Sequence, residues 1–166
     1  LLETKPDLVM VAVNASDVSD VMMRGDDRRF LPDGTTRFTR RPHRWERFYA
    51  ISFLTRHVIH DVLGYNYLLI REDDFATEQR IAVDGVLAAL DAFAKLSAEH
   101  RFQLLVVVHP DRWEASNQYT EPISWLIDEL KRREDIPFVD VLAFWKTSGV
   151  FKERTPESLY WPVDGH

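Results

Sequence analysis

The run DLVMVAV at residues 7–13 is short, continuous and rich in valine, and FQLLVVV at 102–108 repeats the pattern. Neither alternates between apolar and polar residues. Each therefore reads as a strand buried on both faces, the kind found inside a parallel sheet. A third short run, IPFVDVLAFW at 136–145, reads as a strand running into a helical turn. The expected strands are 8–13, 102–108 and 137–141.

Helical patterns fill the intervals. At 42–64, PHRWERFYAISFLTRHVIHDVLG repeats Trp45, Phe48, Ile51, Phe53, Leu54, Val58 and Val62 near a 3.6-residue period. Gly64 stands where a left-handed cap belongs. At 77–100, Val83, Val86, Leu87, Leu90, Phe93 and Ala94 make a buried stripe that Gly85 weakens only slightly. At 120–134, Thr120 is the N-cap, Pro122 lies in the first turn, and Ile123, Leu126, Ile127 and Leu130 share one face. That helix ends in Lys131, Arg132 and Arg133, which suits its dipole. YNYLLI at 65–70 reads equally as a short strand or a bend. Pro-Asp-Gly at 32–34 marks the turn of a hairpin or long loop inserted at about 24–42.

Strands alternating with long helices predict an α/β fold, with a parallel sheet covered by helices on both faces. The 166 residues make one such domain, 1–166. In this class ligands bind beyond the carboxyl ends of the strands. Three loops leave those ends: NASD at 14–17, HPDRW at 109–113, and the stretch after FVDV, which runs on to YWPVDGH at 160–166. The polar clusters therefore gather on one rim.

Composition narrows the chemistry. There are no cysteines, which excludes disulfides, thiolate nucleophiles and zinc–thiolate sites. The net charge of −6 gives no overall basic footprint for nucleic acid. Arg28, Arg29, Arg37, Arg40, Arg41, Arg44 and Arg47 form a local basic stretch, read as a solvated loop and helix start or as a surface for an anionic partner. No 18-residue apolar run occurs and LLETKPDLV does not read as a signal peptide, so no membrane span is expected. Compartment and oligomeric state stay open.

Within YWPVDGH, Asp164 precedes His166 by two residues behind a Tyr-Trp-Pro corner. Such a carboxylate can accept the imidazole Nδ1–H, fix its tautomer and stabilise the imidazolium. Nε2 is then left to take a proton from a nucleophile.

PDLVMVAVNASD, two long helices, LLVVVHP, VDV and finally YWPVDGH together resemble the SGNH (GDSL-type) hydrolases over almost the whole chain. In that family a buried strand ends in Gly-x-Asn-Asp and a late loop carries Asp-x-x-His or Asp-x-His. The resemblance implies a flavodoxin-like three-layer α/β/α sandwich that hydrolyses esters of small molecules or carbohydrates, without cofactor or metal. It assigns His166 as general base and Asp164 as its orienting acid. Ser16 stands where the family's oxyanion-hole Asn is expected, Asn14 where its Gly is expected, and Asp17 keeps the family's Asp. With 14 and 16 both extended, their side chains would share a face, and Asn14 would supply the missing donor. The alternative for both is local turn capping.

The family's nucleophile is a serine in a Gly-Asp-Ser segment. None of Ser16, Ser19, Ser52, Ser97, Ser116, Ser124, Ser148 and Ser158 has that context. The resemblance therefore implies a nucleophile upstream of Leu1, and a domain incomplete at both ends of the 166 residues. Acyl transfer uses the same machinery. A rival of another class is a catalytically silent domain that binds a glycan or protein partner through the same rim.

Three further readings stay double. His109, at a strand's carboxyl end, lines the pocket or belongs to ordinary loop chemistry. Trp113, Trp161 and Tyr160 form apolar walls for an acyl or sugar group, or simply pack. His57, His60 and Asp61 contribute to a metal site or make a solvated helix face.

Overall fold

The computed structural model describes residues 5–26, 29–36 and 43–160. Strands β1 (Leu8–Val13), β2 (Gln103–Val108) and β3 (Phe138–Asp140) form one sheet in the order β1-β2-β3, with both pairs parallel. The three apolar runs are therefore neighbours that point the same way, as their sequences predict. Val13 pairs with Val108 and Val108 with Asp140, so the carboxyl ends of the strands are level.

Helices α1 (Ala15–Arg24), α4 (Glu72–His100) and α6 (Glu121–Lys131) cover one face. Val18 and Met22, then Val83, Val86, Leu87 and Leu90, then Ile123, Leu126, Ile127 and Leu130 form a single buried cluster with Val13, Val106 and Val108. Burying one such side chain contributes about 1.5–3 kcal/mol, so this cluster dominates the fold's stability. Gly85 has a positive role in it. A Cβ there would lie 3.1 Å from Val21 Cγ1, so its absence lets α1 approach α4 closely. Helix α4 begins five residues before the expected Thr77, because Glu72, Asp73 and Asp74 fill its first turn and meet the positive end of the dipole.

Strand alternation sends Leu8, Met10, Leu105 and Val107 to the opposite face. There Leu8 is 47% and Met10 65% exposed, while Leu105 and Val107 are half-buried. The expectation that 7–13 is buried on both faces is thus corrected. Among the described residues β1 is an edge strand with one covered face. The result is a mixed α/β architecture: a small parallel sheet with packed helices on one side.

The expected helix at 42–64 also differs. It is divided into α2 (Glu46–Ile51), α3 (Phe53–His57) and a π-helical turn at Val58–Val62. Ser52 breaks it with extended backbone, and its hydroxyl caps α3 by accepting from Thr55 N–H. The segment turns inward Ile59 and a set of aromatic polar residues, and of its expected stripe only Trp45 joins them. His43 stacks on Trp45, both rings meet Tyr65 edge-on, and Tyr49 meets His60. Phe48, Ile51, Phe53, Leu54 and Val62 remain exposed. Residues 65–70 form a bend in which Asn66 Oδ1 accepts from Leu68 N–H and Ile70 N–H. Among the described residues no helix is long and apolar enough to cross a membrane.

Candidate functional site at the carboxyl rim

The chain leaves β1 at Asn14, and α1 starts at the next residue. Asn14 is its N-cap. Its Oδ1 accepts from Ser16 N–H at 2.8 Å and from the Ser16 hydroxyl at 2.7 Å. Asp17 Oδ2 accepts in return from Asn14 N–H at 2.8 Å, completing a capping box. This corrects the picture of residues 14 and 16 on one extended face. The helix begins too soon, and Ser16 curls back to spend its hydroxyl proton on Asn14. Asp17 is likewise committed to the cap. The Asn14 Nδ2 amide donates to none of the described residues, which leaves it as the side-chain donor available here.

One strand over, His109 N–H donates to the Val13 carbonyl at 2.9 Å and extends the ladder past β2. This sets His109 opposite Asn14. Its half-buried ring meets Trp145 edge-on at 5.5 Å and Tyr160 at 5.9 Å between centroids. Trp145 lies on α7 (Val141–Ser148), which is followed by α8 (Val150–Glu153) and a 3₁₀ turn at Pro156–Leu159. His109 is therefore part of an aromatic wall on the rim.

That wall is tied down by Tyr160, which is buried. Its hydroxyl donates to the Pro110 carbonyl at 2.7 Å, with the Asp111 carbonyl at 3.2 Å. Glu157, just before it, accepts from the Ser116 hydroxyl at 2.8 Å. The entrance to YWPVDGH is thus fixed to the loop that leaves β2. Trp161, Asp164 and His166 themselves lie outside the described residues.

Burial, reinforced by the Asp111 and Glu114 carboxylates, pushes the Tyr160 hydroxyl up to about 12. A proton held more tightly in the folded state gives stability that is complete below the ordinary tyrosine value of about 10. That stability is lost as pH rises through 12. Tyr160→Phe should accordingly lower the unfolding free energy near neutrality by about 1–2 kcal/mol, through the lost hydrogen bond. It should also flatten part of the decline between pH 10 and 12. Urea unfolding at pH 8 and at pH 11.5 checks both effects. The same decline in both proteins would show that Tyr160 titrates as if exposed.

A second network was missed in the sequence. Glu114, on α5 (Arg112–Ser116), is fully buried. It accepts from Asp111 N–H at 3.0 Å and, at 2.8 Å each, from Thr120 N–H and the Thr120 hydroxyl. Thr120 stands at the N-cap of α6 as expected and its carbonyl accepts from Ser124 N–H, but its hydroxyl serves Glu114 instead of capping the first turn. Next to it, the Tyr119 hydroxyl faces Asp140 Oδ1 at 3.0 Å and the Val108 carbonyl at 3.2 Å, and accepts from Leu142 N–H. Burial raises its pKa well above the usual phenol range. Asp140 also caps α7 through Ala143 N–H. These groups lock the loops after β2 and β3 together. The Asp-x-x-Glu spacing of 111–114, a capping-box signature, was the available clue.

The remaining candidates separate. His57 pairs with Asp61 on an exposed face. His60 is held between the Tyr49 hydroxyl at 2.8 Å and the Tyr65 carbonyl at 2.6 Å, a structural placement. Among the described residues no group of His, Asp or Glu is arranged to hold a metal ion. Trp113 is 59% exposed, which removes simple packing as its explanation. The chain matches no family model, no curated protein and no solved structure.

Proposed function

We propose that the rim belongs to an ester-hydrolase site of the SGNH type. A serine outside these 166 residues attacks the ester carbonyl while His166 Nε2 takes its proton. Asp164 holds the imidazole and stabilises its charged form. The Asn14 Nδ2 amide donates to the oxyanion. The alcohol then leaves with the proton carried by His166, and water repeats the sequence on the acyl-enzyme. The fold this implies is a three-layer sandwich, with a further strand on the open edge of β1, as in flavodoxin-like order. A further layer would cover Leu8 and Met10.

The observation that carries the reading is the Tyr160 anchor. It holds Tyr160, six residues before His166 in the sequence, at the carboxyl end of β2, one strand from Asn14. A base and an oxyanion donor must flank one small volume, and this anchoring favours it. One observation favours the catalytically silent rival: the Ser16 hydroxyl, at the family's Asn position, is committed to the cap.

Asn14→Asp separates capping from catalysis. Aspartate caps as well as asparagine, so stability should change by less than about 0.5 kcal/mol. It lacks the amide donor, so kcat for p-nitrophenyl acetate in the full-length protein should fall about 10²–10³-fold. Urea unfolding and steady-state kinetics on the one variant give both values. Unaltered kcat would remove Asn14 from the mechanism.

A further inference from the structure

A groove of about 810 Å³ runs beside the rim, between the start of α4, the start of α6 and α7. That volume falls within the roughly 300–1,000 Å³ usual for small-molecule sites. Four features define what it would take. Trp113, on its wall, is 59% exposed and offers a flat apolar face. Phe75 and Pro122 continue the apolar lining. Gln79 and Gln118 bring carboxamides that both donate and accept, and Ser124 brings a hydroxyl. Glu72, Glu121 and Asp140 against Lys146 leave the lining with more negative than positive charge.

An apolar ligand would waste the polar groups, and a phosphate or carboxylate would meet unfavourable charge. A pyranose matches the set: its axial C–H face lies on an indole, and its ring of hydroxyls suits mixed donor-acceptor side chains. The groove also opens at the same carboxyl rim, since Asp140 ends β3 and Trp113 follows the His109–Asp111 loop. We propose that this groove binds a neutral glycan chain with one sugar stacked on Trp113, so that the ester substrate is an O-acylated carbohydrate. The second half rests on the esterase reading. The first does not.

The test uses the full-length protein, its Trp113→Ala variant and, to guard against misfolding, a milder Gln79→Ala variant. Binding of unesterified cellohexaose and chitohexaose is measured by calorimetry, with hexagalacturonate as the anionic counter-probe. At least one neutral chain should bind, about tenfold more weakly after Trp113→Ala and more weakly after Gln79→Ala, and more tightly than hexagalacturonate. Partly acetylated cellohexaose and p-nitrophenyl acetate are then compared as substrates. Trp113→Ala should lower kcat/KM for the glycan ester at least tenfold more than for the aryl ester. Binding of neither neutral chain, preference for hexagalacturonate, or equal losses for both esters would overturn the proposal. Trp113-dependent glycan binding without turnover of either ester would instead refute the esterase reading while leaving the groove a glycan site.

Discussion

Replacing His166 with alanine in the full-length protein should lower kcat for p-nitrophenyl acetate by at least about 10³-fold, the scale on which triad members act. The far-ultraviolet circular dichroism spectrum should not change. The imidazole is the only group in Asp164-Gly165-His166 that can both accept a proton near neutrality and return it to a leaving alcohol. Asp164→Asn should give a comparable deficit by stabilising the wrong tautomer. Retained turnover in His166→Ala would assign the loop no catalytic part and pass the case to the binding-module rival.

The largest expected effect on stability is at Glu114. Glu114→Ala removes a buried acceptor that serves three part-buried donors, Asp111 N–H, Thr120 N–H and the Thr120 hydroxyl. Each orphaned donor costs about 1–3 kcal/mol, and the site partly relaxes, so a loss of about 3–5 kcal/mol is expected. Glu114→Gln should lose less. Its amide oxygen can still serve Thr120, while its NH₂ would face the Asp111 N–H. Urea midpoints for the two variants should therefore fall in the order wild type, Gln, Ala. A glutamine variant as stable as the wild type would mean that the bond to Asp111 N–H contributes nothing to the fold.

Much of the sheet was legible because Val-rich runs have few alternatives to a parallel strand, and 8–13, 102–108 and 138–140 pair as expected. Burial on both faces was not legible. The run LVMVAV is identical whether a layer covers Met10 or not, and Met10 is exposed. The 42–64 segment failed for a related reason. Spacing reports which residues share a helix face but not what that face meets. There, ring contacts among His43, Trp45, Tyr49, His60 and Tyr65 outweighed the stripe of Phe48, Ile51 and Leu54.

At the site, Asn14 was found by its place at a strand end. Its partnership with Ser16 took a different form, because the helix starts one residue after Asn14 and turns Ser16 back on it. Tyr160 was visible only as an aromatic residue. Its anchoring role depends on two carbonyls about fifty positions away, Pro110 and Asp111, which no local pattern reveals. Trp113 is the reverse case. Its exposure could not be read from DRWE, yet it is what gives the groove a chemical identity.

The most direct test of the esterase account is covalent. The full-length protein is incubated with a fluorophosphonate, and its intact mass and labelled peptide are determined, alongside His166→Ala. The account predicts one adduct, on a serine outside these 166 residues, formed far more slowly in the variant. Absence of any adduct, or an adduct that forms equally fast without His166, would contradict it.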